Sequence, residues 1–146
     1  MVKEFQGKYH FLSNFYEVPA NYKGIVYNNN EAAFQAQKCP GRENEFTSLS
    51  PDAAKRLGRK VPLRKDWEQI KECVMYEICS AKFTQNPVLM WQLLQTEGDL
   101  EEGNYWYDTV WGIDLRTGFG ENKLGKILMY IREENRPYVM EAHGLL

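Results

Sequence analysis

The stretch Asp66-Trp67-Glu68-Gln69-Ile70-Lys71-Glu72-Cys73-Val74-Met75-Tyr76-Glu77-Ile78-Cys79-Ser80-Ala81 decides the fold class. Ile70, Val74, Ile78 and Ala81 recur every three or four residues, which gathers them on one face of an α-helix. Asp66 with Gln69 three residues on has the form of an N-cap and its box partner, and the run predicts the longest helix of the chain. Downstream, Asn86-Pro87 starts another helix, with Leu89, Leu93 and Thr96 on one side and Gly98 past its end. Leu124, Ile127, Leu128 and Ile131 fall at i, i+3, i+4 and i+7, so a last helix covers them and is expected to stop at Pro137.

Upstream, Ser50 as cap, Pro51 at the first helical position and Gly58 at the far end punctuate a short helix. Asn28-Asn29-Asn30 supplies capping side chains for a helix through Glu31 to Lys38, halted by Pro40-Gly41. Residues 5 to 28 mix aromatics with Gly, Pro and Asn, and Tyr22 to Tyr27 reads as a hairpin turning at glycine. Residues 99 to 121 have no periodicity but carry Tyr105, Trp106, Trp111, Gly112 and Gly118, the composition of an ordered functional loop. About five helices and a small β region make a compact, mostly helical α+β domain.

At 146 residues the chain fits one domain, expected over residues 1–146. Hydrophobic residues at 43% and charged ones at 26% allow a true core and exclude disorder. A formal charge of -2 makes the whole molecule no electrostatic trap for nucleic acid or an anionic membrane, so any phosphate must meet a local basic patch. The two histidines, His10 and His143, and the three cysteines, with no CxxC, argue against a zinc site and a Ser-His-Asp triad. No apolar run reaches the ~18 residues of a membrane span. The start of the chain lacks a signal-peptide pattern, and with an odd cysteine count this points to a reducing, cytoplasmic setting.

Three clusters could carry chemistry. Glu31, Gln35 and Lys38 lie on one helical face, an acid, an amide and an amine together. Against a catalytic role, Glu31 also suits the first turn of a helix, as a box partner of Asn28 and a complement to the dipole. Lys55, Arg56, Arg59, Lys60, Arg64 and Lys65 form a basic run without an acid. It could grip a phosphate or simply be solvated. Asp108 sits three residues before Trp111, an indole that core packing would explain equally well. Glu101, Glu102 and Asp114 lie nearby, but their spacing fits no recognised cation loop, and no metal is assigned.

Taken in order, the blocks Phe11-Leu12-Ser13-Asn14-Phe15, Asn30-Glu31-x-x-Phe34-Gln35-Ala36-Gln37-Lys38, Ala54-x-x-Leu57-Gly58-Arg59, Pro62-Leu63-Arg64-Lys65-Asp66-Trp67, Lys82-Phe83, Asp108-x-x-Trp111-Gly112 and Gly120-x-Asn122-x-Leu124-Gly125 resemble the YbiA-like, or NADAR, family. The resemblance runs from residue 11 to about 132 and leaves Pro137 to Leu146 as a tail outside it. It implies an N-glycosidase that hydrolyses the ribose-to-nitrogen bond of early ribosylamine 5'-phosphate intermediates of riboflavin synthesis. Some relatives remove ADP-ribose from guanine bases, so nucleic acid enters only as an ADP-ribosylated substrate. A non-catalytic ADP-ribose or nucleotide module would use the same aromatics and basic residues without both acids.

The matching positions imply catalytic roles for Glu31, Asp108 and Lys38, and substrate contacts from Trp67, Trp111, Arg59, Asn14, Gly112 and Asn122. Cleaving a ribosyl C–N bond builds oxocarbenium charge, which carboxylates stabilise while one activates water; no cofactor is required. Flat bases suit the tryptophans, and a phosphate suits the basic run. Lys38 admits two roles, holding phosphate or ribose, or attacking the ring-opened imine as a nucleophile. Glu31, Trp67, Asp108 and Trp111 are expected to converge on one pocket. Asn30 stands where relatives often carry Ser and should still cap the helix. Ala32-Ala33 replaces a bulkier, more polar pair and bears on the volume beside Glu31.

Overall fold

The computed structural model describes residues 1–142 and 144, with residues 137–142 as backbone alone; His143 and the last two residues of the 137–146 tail lie outside that description. The backbone gathers into two compact units, residues 14–86 and residues 1–13 with 87–146.

In the unit of residues 14–86, β1 (Ala20–Tyr22) and β2 (Ile25–Tyr27) pair antiparallel, Ala20 opposite Tyr27. Their two-residue turn is Lys23-Gly24, with φ of 53° and 89°. Both values lie in the left-handed region that a tight hairpin of this hand demands, so the expected glycine turn is present. Helix α1 (Asn30–Ala36) follows. Its cap is Asn29, whose side chain accepts the Ala32 N–H at 2.8 Å, and neither Asn28 nor Asn30 takes that place. Asn30 is instead drawn inward, its amide donating to Asn14 Oδ1 at 3.3 Å.

Helix α2 (Pro51–Gly58) has the expected ends: Ser50 accepts the Ala53 N–H at 3.2 Å, and Pro51 opens the helix where its missing N–H costs nothing. Helix α3 (Trp67–Gln85) buries Trp67, Val74, Met75, Ile78, Cys79, Lys82 and Phe83. The expected cap at Asp66 does not form among the described residues; its carboxylate takes the Arg64 guanidinium at 2.6 and 3.1 Å.

In the other unit, residues Gly7–Leu12, read from sequence as part of a small β region, form a 3₁₀ turn. Helix α4 (Pro87–Leu94) buries Leu89, Met90, Leu93 and Leu94 as its spacing requires. Helix α5 (Lys123–Ala142) has 20 residues against 19 in α3, so the longest helix is the last one. It does not stop at Pro137. Proline removes one N–H and crowds the carbonyl four residues back, but a helix anchored before it can run on. The anchors are Arg132, which donates to Thr96 Oγ1 and Gly98 O, and Arg136, which donates to Leu94 O and Thr96 O.

Between α4 and α5, two-residue strands β3 (Gly103–Asn104) and β4 (Ile113–Asp114) pair in parallel. No helix among the described residues is long and apolar enough to cross a membrane.

Candidate functional site

Helix α1 is buried along its whole length, and Glu31 is 8% exposed. Its N–H donates to Asn14 O at 3.1 Å, and its carboxylate accepts Gln35 Nε2 at 2.7 Å across one helical turn. The cap is Asn29 and not Asn28, the residue Glu31 would have partnered in a capping box, and the acid faces the amide of its own helix. The Asn14 side chain is spent within the protein: it donates to Met75 Sδ and accepts from Asn30 and Cys79. Asn14 thereby fixes the entry of α1, and with it the backbone of Glu31.

Lys38 lies just beyond α1. Its N–H donates to Gln35 O at 3.1 Å and its carbonyl accepts the Arg64 N–H at 2.9 Å, which fastens the basic loop to the end of the helix. The ammonium stands 6.0 Å from the centre of the Trp67 ring. Burial pushes the Lys38 amine below its usual range; Glu31 pulls it up, and the charges of Arg59, Lys55 and Lys71 push it further down. Four cations and one carboxylate therefore share this corner, a field suited to an anionic group.

The basic run divides in the fold. Arg64 is held by Asp66, whereas Arg59 is exposed and makes no ion pair among the described residues. Lys55 lies with its ammonium 5.8 Å from the Phe15 ring centre. Lys71, absent from the sequence reading, reaches the group from α3 while pairing with Glu68 at 2.6 Å. The approach of α3 to α1 brings it to this corner. Trp67 is 5% exposed and tilted against Phe34 at a ring separation of 5.0 Å, so it forms a wall of this corner.

Elsewhere in this unit Lys82 is fully buried, its ammonium 5.6 Å from the Tyr16 ring centre and 5.1 Å from that of Phe83. Burial pushes its amine down to about 8, against a smaller upward pull from Cys79. Lys82-Phe83 is one of the blocks of the resemblance.

In the other unit, the buried Asn104 organises the loop. Its side chain accepts the N–H groups of Trp106 and Asp108 and donates to Asp108 O at 2.9 Å. Asp108 Oδ1 in turn accepts the N–H groups of Val110 at 3.0 Å and Trp111 at 2.9 Å, an Asx turn that aims the chain into Trp111. Trp111 is half-buried. Asn122 has φ of 51°; its amide accepts the Glu102 N–H and donates to Leu100 O at 2.9 Å, tying the start of α5 to the loop. Of the acids weighed for a cation, Asp114 is paired with Arg116, and the described residues contain no cluster of three ligating side chains.

Gly112 is required by space. A Cβ there would overlap Glu102 Oε2 and O and stand 2.8 Å from Asn104 Nδ2. Gly112→Ala is expected to lower unfolding free energy by about 1–3 kcal/mol, the usual cost of overpacking, measured by denaturant titration. An unchanged midpoint would mean that the loop yields without cost.

The structure thus gathers Glu31, Lys38, Trp67 and Arg59 with Gln35 and Lys71 in one unit, while Asp108, Trp111, Gly112 and Asn122 belong to the other. The profile of the NADAR domain matches residues 2–136. The chain is 39% identical over 128 residues to the N-glycosidase YbiA of Escherichia coli, covering 84% of this chain and 79% of that one. It is 32% identical over 136 residues to an N-glycosidase of Nostoc punctiforme, covering 88% and 86%. A riboflavin biosynthesis protein of Vibrio vulnificus is 41% identical over 130 residues, 85% of this chain but 35% of the larger protein. The NMR structure of E. coli YbiA superposes with a TM-score of 0.82 at 34% identity, covering 97% of this chain and 90% of that one. With motifs, fold and nearly the full length in agreement, the chain belongs to the NADAR domain family.

Proposed function

We propose that the protein is an N-glycosidase that hydrolyses the ribose C–N bond of ribosylamine-pyrimidine 5'-phosphates, intermediates of the early riboflavin route. The observation that carries this reading is the corner around Lys38, whose amine feels the buried Glu31 carboxylate together with the charges of Arg59, Lys55 and Lys71. A phosphorylated sugar needs both kinds of charge: cations for the phosphate, and a carboxylate for the positive charge that grows at C1'. The relatives named as N-glycosidases and as a riboflavin biosynthesis protein support the same chemistry.

In this reading Glu31 takes the proton of a water as its oxygen bonds to C1', the electron pair of the breaking C–N bond leaves with the base nitrogen, and that nitrogen takes up the proton to depart as a neutral amine. Arg59, exposed and without an ion pair among the described residues, receives the phosphate. Trp67 forms a wall for the substrate. Asp108 and Trp111 belong to the other unit and are carried by the shared motif alone, an acid and an indole of the types this chemistry uses. A binding module would have little use for a buried acid held in place by an amide donor.

The test is incubation of the purified protein with ribosylaminopyrimidine phosphates and, separately, with guanine-linked ADP-ribose, followed by detection of released base. Release from the first class is expected. Release from the second alone would transfer the cation cluster to a pyrophosphate and replace the substrate assignment. Within the same assay, Arg59→Ala should raise KM about tenfold and change kcat little, because a phosphate contact is equally present in ground and transition states. Unchanged KM would move the phosphate elsewhere.

A further inference from the structure

Gln35 is 5% exposed, and its two polar ends have opposite fates. Nε2 donates to Glu31 Oε1 at 2.7 Å. Oε1 is fully buried and has no hydrogen-bond partner among the described residues. Turning the amide over would bring its carbonyl oxygen against a carboxylate, so the orphaned acceptor is the cost of aiming a donor at Glu31. What lies behind that acceptor is Gly58, the last residue of α2. A Cβ on Gly58 would overlap Gln35 Oε1 and stand 2.7 Å from Cδ.

Gly58 is not among the residues with positive φ, so no unusual backbone conformation calls for glycine there. Glycine in a helix is otherwise unfavourable relative to alanine. Its absent side chain makes the room in which the Gln35 amide lies.

We propose that Gly58 and Gln35 form a positioning relay for Glu31: Gly58 leaves the space that lets Gln35 hold the Glu31 carboxylate ionised and fixed in orientation for the reaction. This rests on the catalytic reading of Glu31. The charges near that carboxylate include Lys38 just beyond α1 and, acting on Lys38, Lys55 of α2, Arg59 just past that helix and Lys71 of α3. The amide N–H of Gln35 is a donor on Glu31 Oε1 itself, at 2.7 Å.

The test compares Gln35→Met, Gly58→Ala and the double variant, with folding followed by circular dichroism. Gln35→Met and Gly58→Ala should each lower kcat by between about tenfold and 10², the cost of a misplaced catalytic group, with KM little changed. The acid limb of the kcat profile should move to higher pH, because the carboxylate loses a donor that favours its charged form. The double variant should be no worse than Gln35→Met, since Gly58 acts through the amide. Full kcat with an unmoved acid limb in folded Gln35→Met, or additive losses in the double variant, would overturn the relay.

Should the variants fail to fold, the wild-type protein still decides. The side-chain amide resonances of Gln35 should titrate along the acid limb of activity, and resonances that do not follow it refute the proposal. Glu31→Gln separates the two layers. If it is inactive while Gln35→Met is fully active, the relay alone fails; if it is fully active, the reading of Glu31 fails with it.

Discussion

Replacing Glu31 by Gln should lower kcat by on the order of 10² to 10⁴, the usual range for loss of a general acid–base group, while the protein stays folded. The substitution keeps the shape of the side chain and its place in the first turn of α1, and the Asn29 cap that starts the helix is untouched. It removes the negative charge and the capacity to accept a proton from water. Gln35 would then donate to an amide oxygen instead of a carboxylate, a weaker bond in the same geometry. The loss should fall on kcat, because oxocarbenium charge and the attacking water exist in the transition state and not in the bound substrate. The measurement is steady-state release of base by wild type and variant, with thermal unfolding to establish that both are folded. Wild-type kcat in a folded Glu31→Gln would remove the carboxylate from the mechanism.

Elements that depend on neighbours in sequence were legible before the fold was known. Ser50, Pro51 and Gly58 delimit α2 because a cap, a missing donor and a helix end are local events. The hairpin was legible because Lys23-Gly24 can adopt the two positive φ values the turn needs. The start of α1 was ambiguous, since three successive asparagines can each cap. What selects Asn29 is tertiary: Asn30 is drawn toward Asn14, sixteen positions earlier, and toward Cys79 on α3. Asp66 was misread because Arg64, two residues before, takes the carboxylate that the cap required. The strands β3 and β4 are two residues each and leave no periodic signal.

The same division holds for the site. Glu31, Gln35 and Lys38 were readable as one face from helical spacing, and Gln35 does meet Glu31 across one turn. The approach of Lys71 from α3, the diversion of Arg64 to Asp66, and the burial of Lys82 come from packing between elements. Asp108 looked like a lone acid in an aperiodic loop. The fold gives its Oδ1 to two backbone donors, a role that Asp at a turn suggests but that depends on Asn104 to hold the loop. Charge alone could not rank the six basic residues, because which of them are paired depends on folded neighbours.

The sharpest test of mechanism is Lys38→Arg, which keeps the positive charge and removes the amine. Burial lowers the Lys38 amine below the ordinary lysine range, and Arg59, Lys55 and Lys71 act the same way, opposed by Glu31. A lysine that only holds a phosphate gains nothing from this, since it needs its proton; a nucleophilic amine needs to lose it. If Lys38 attacks in place of water, Lys38→Arg costs on the order of 10² or more in kcat, well beyond any change in KM, because a guanidinium stays protonated and cannot attack; in the water route directed by Glu31 the retained charge keeps kcat close to wild type. In the lysine route the Lys38 nitrogen bonds to C1' of the ring-opened imine, the base nitrogen departs as an amine, and water then releases the sugar from the lysine imine. Borohydride added during turnover should reduce this imine and leave a sugar adduct on Lys38, found by peptide mass spectrometry. In that route alone the rise of kcat with pH follows the Lys38 proton, toward its lowered value; a phosphate-holding ammonium would instead lose affinity there, and the acid limb would belong to Glu31. Lys38→Arg with wild-type kcat and no trapped adduct would return Lys38 to a binding role and leave Glu31 to direct water alone.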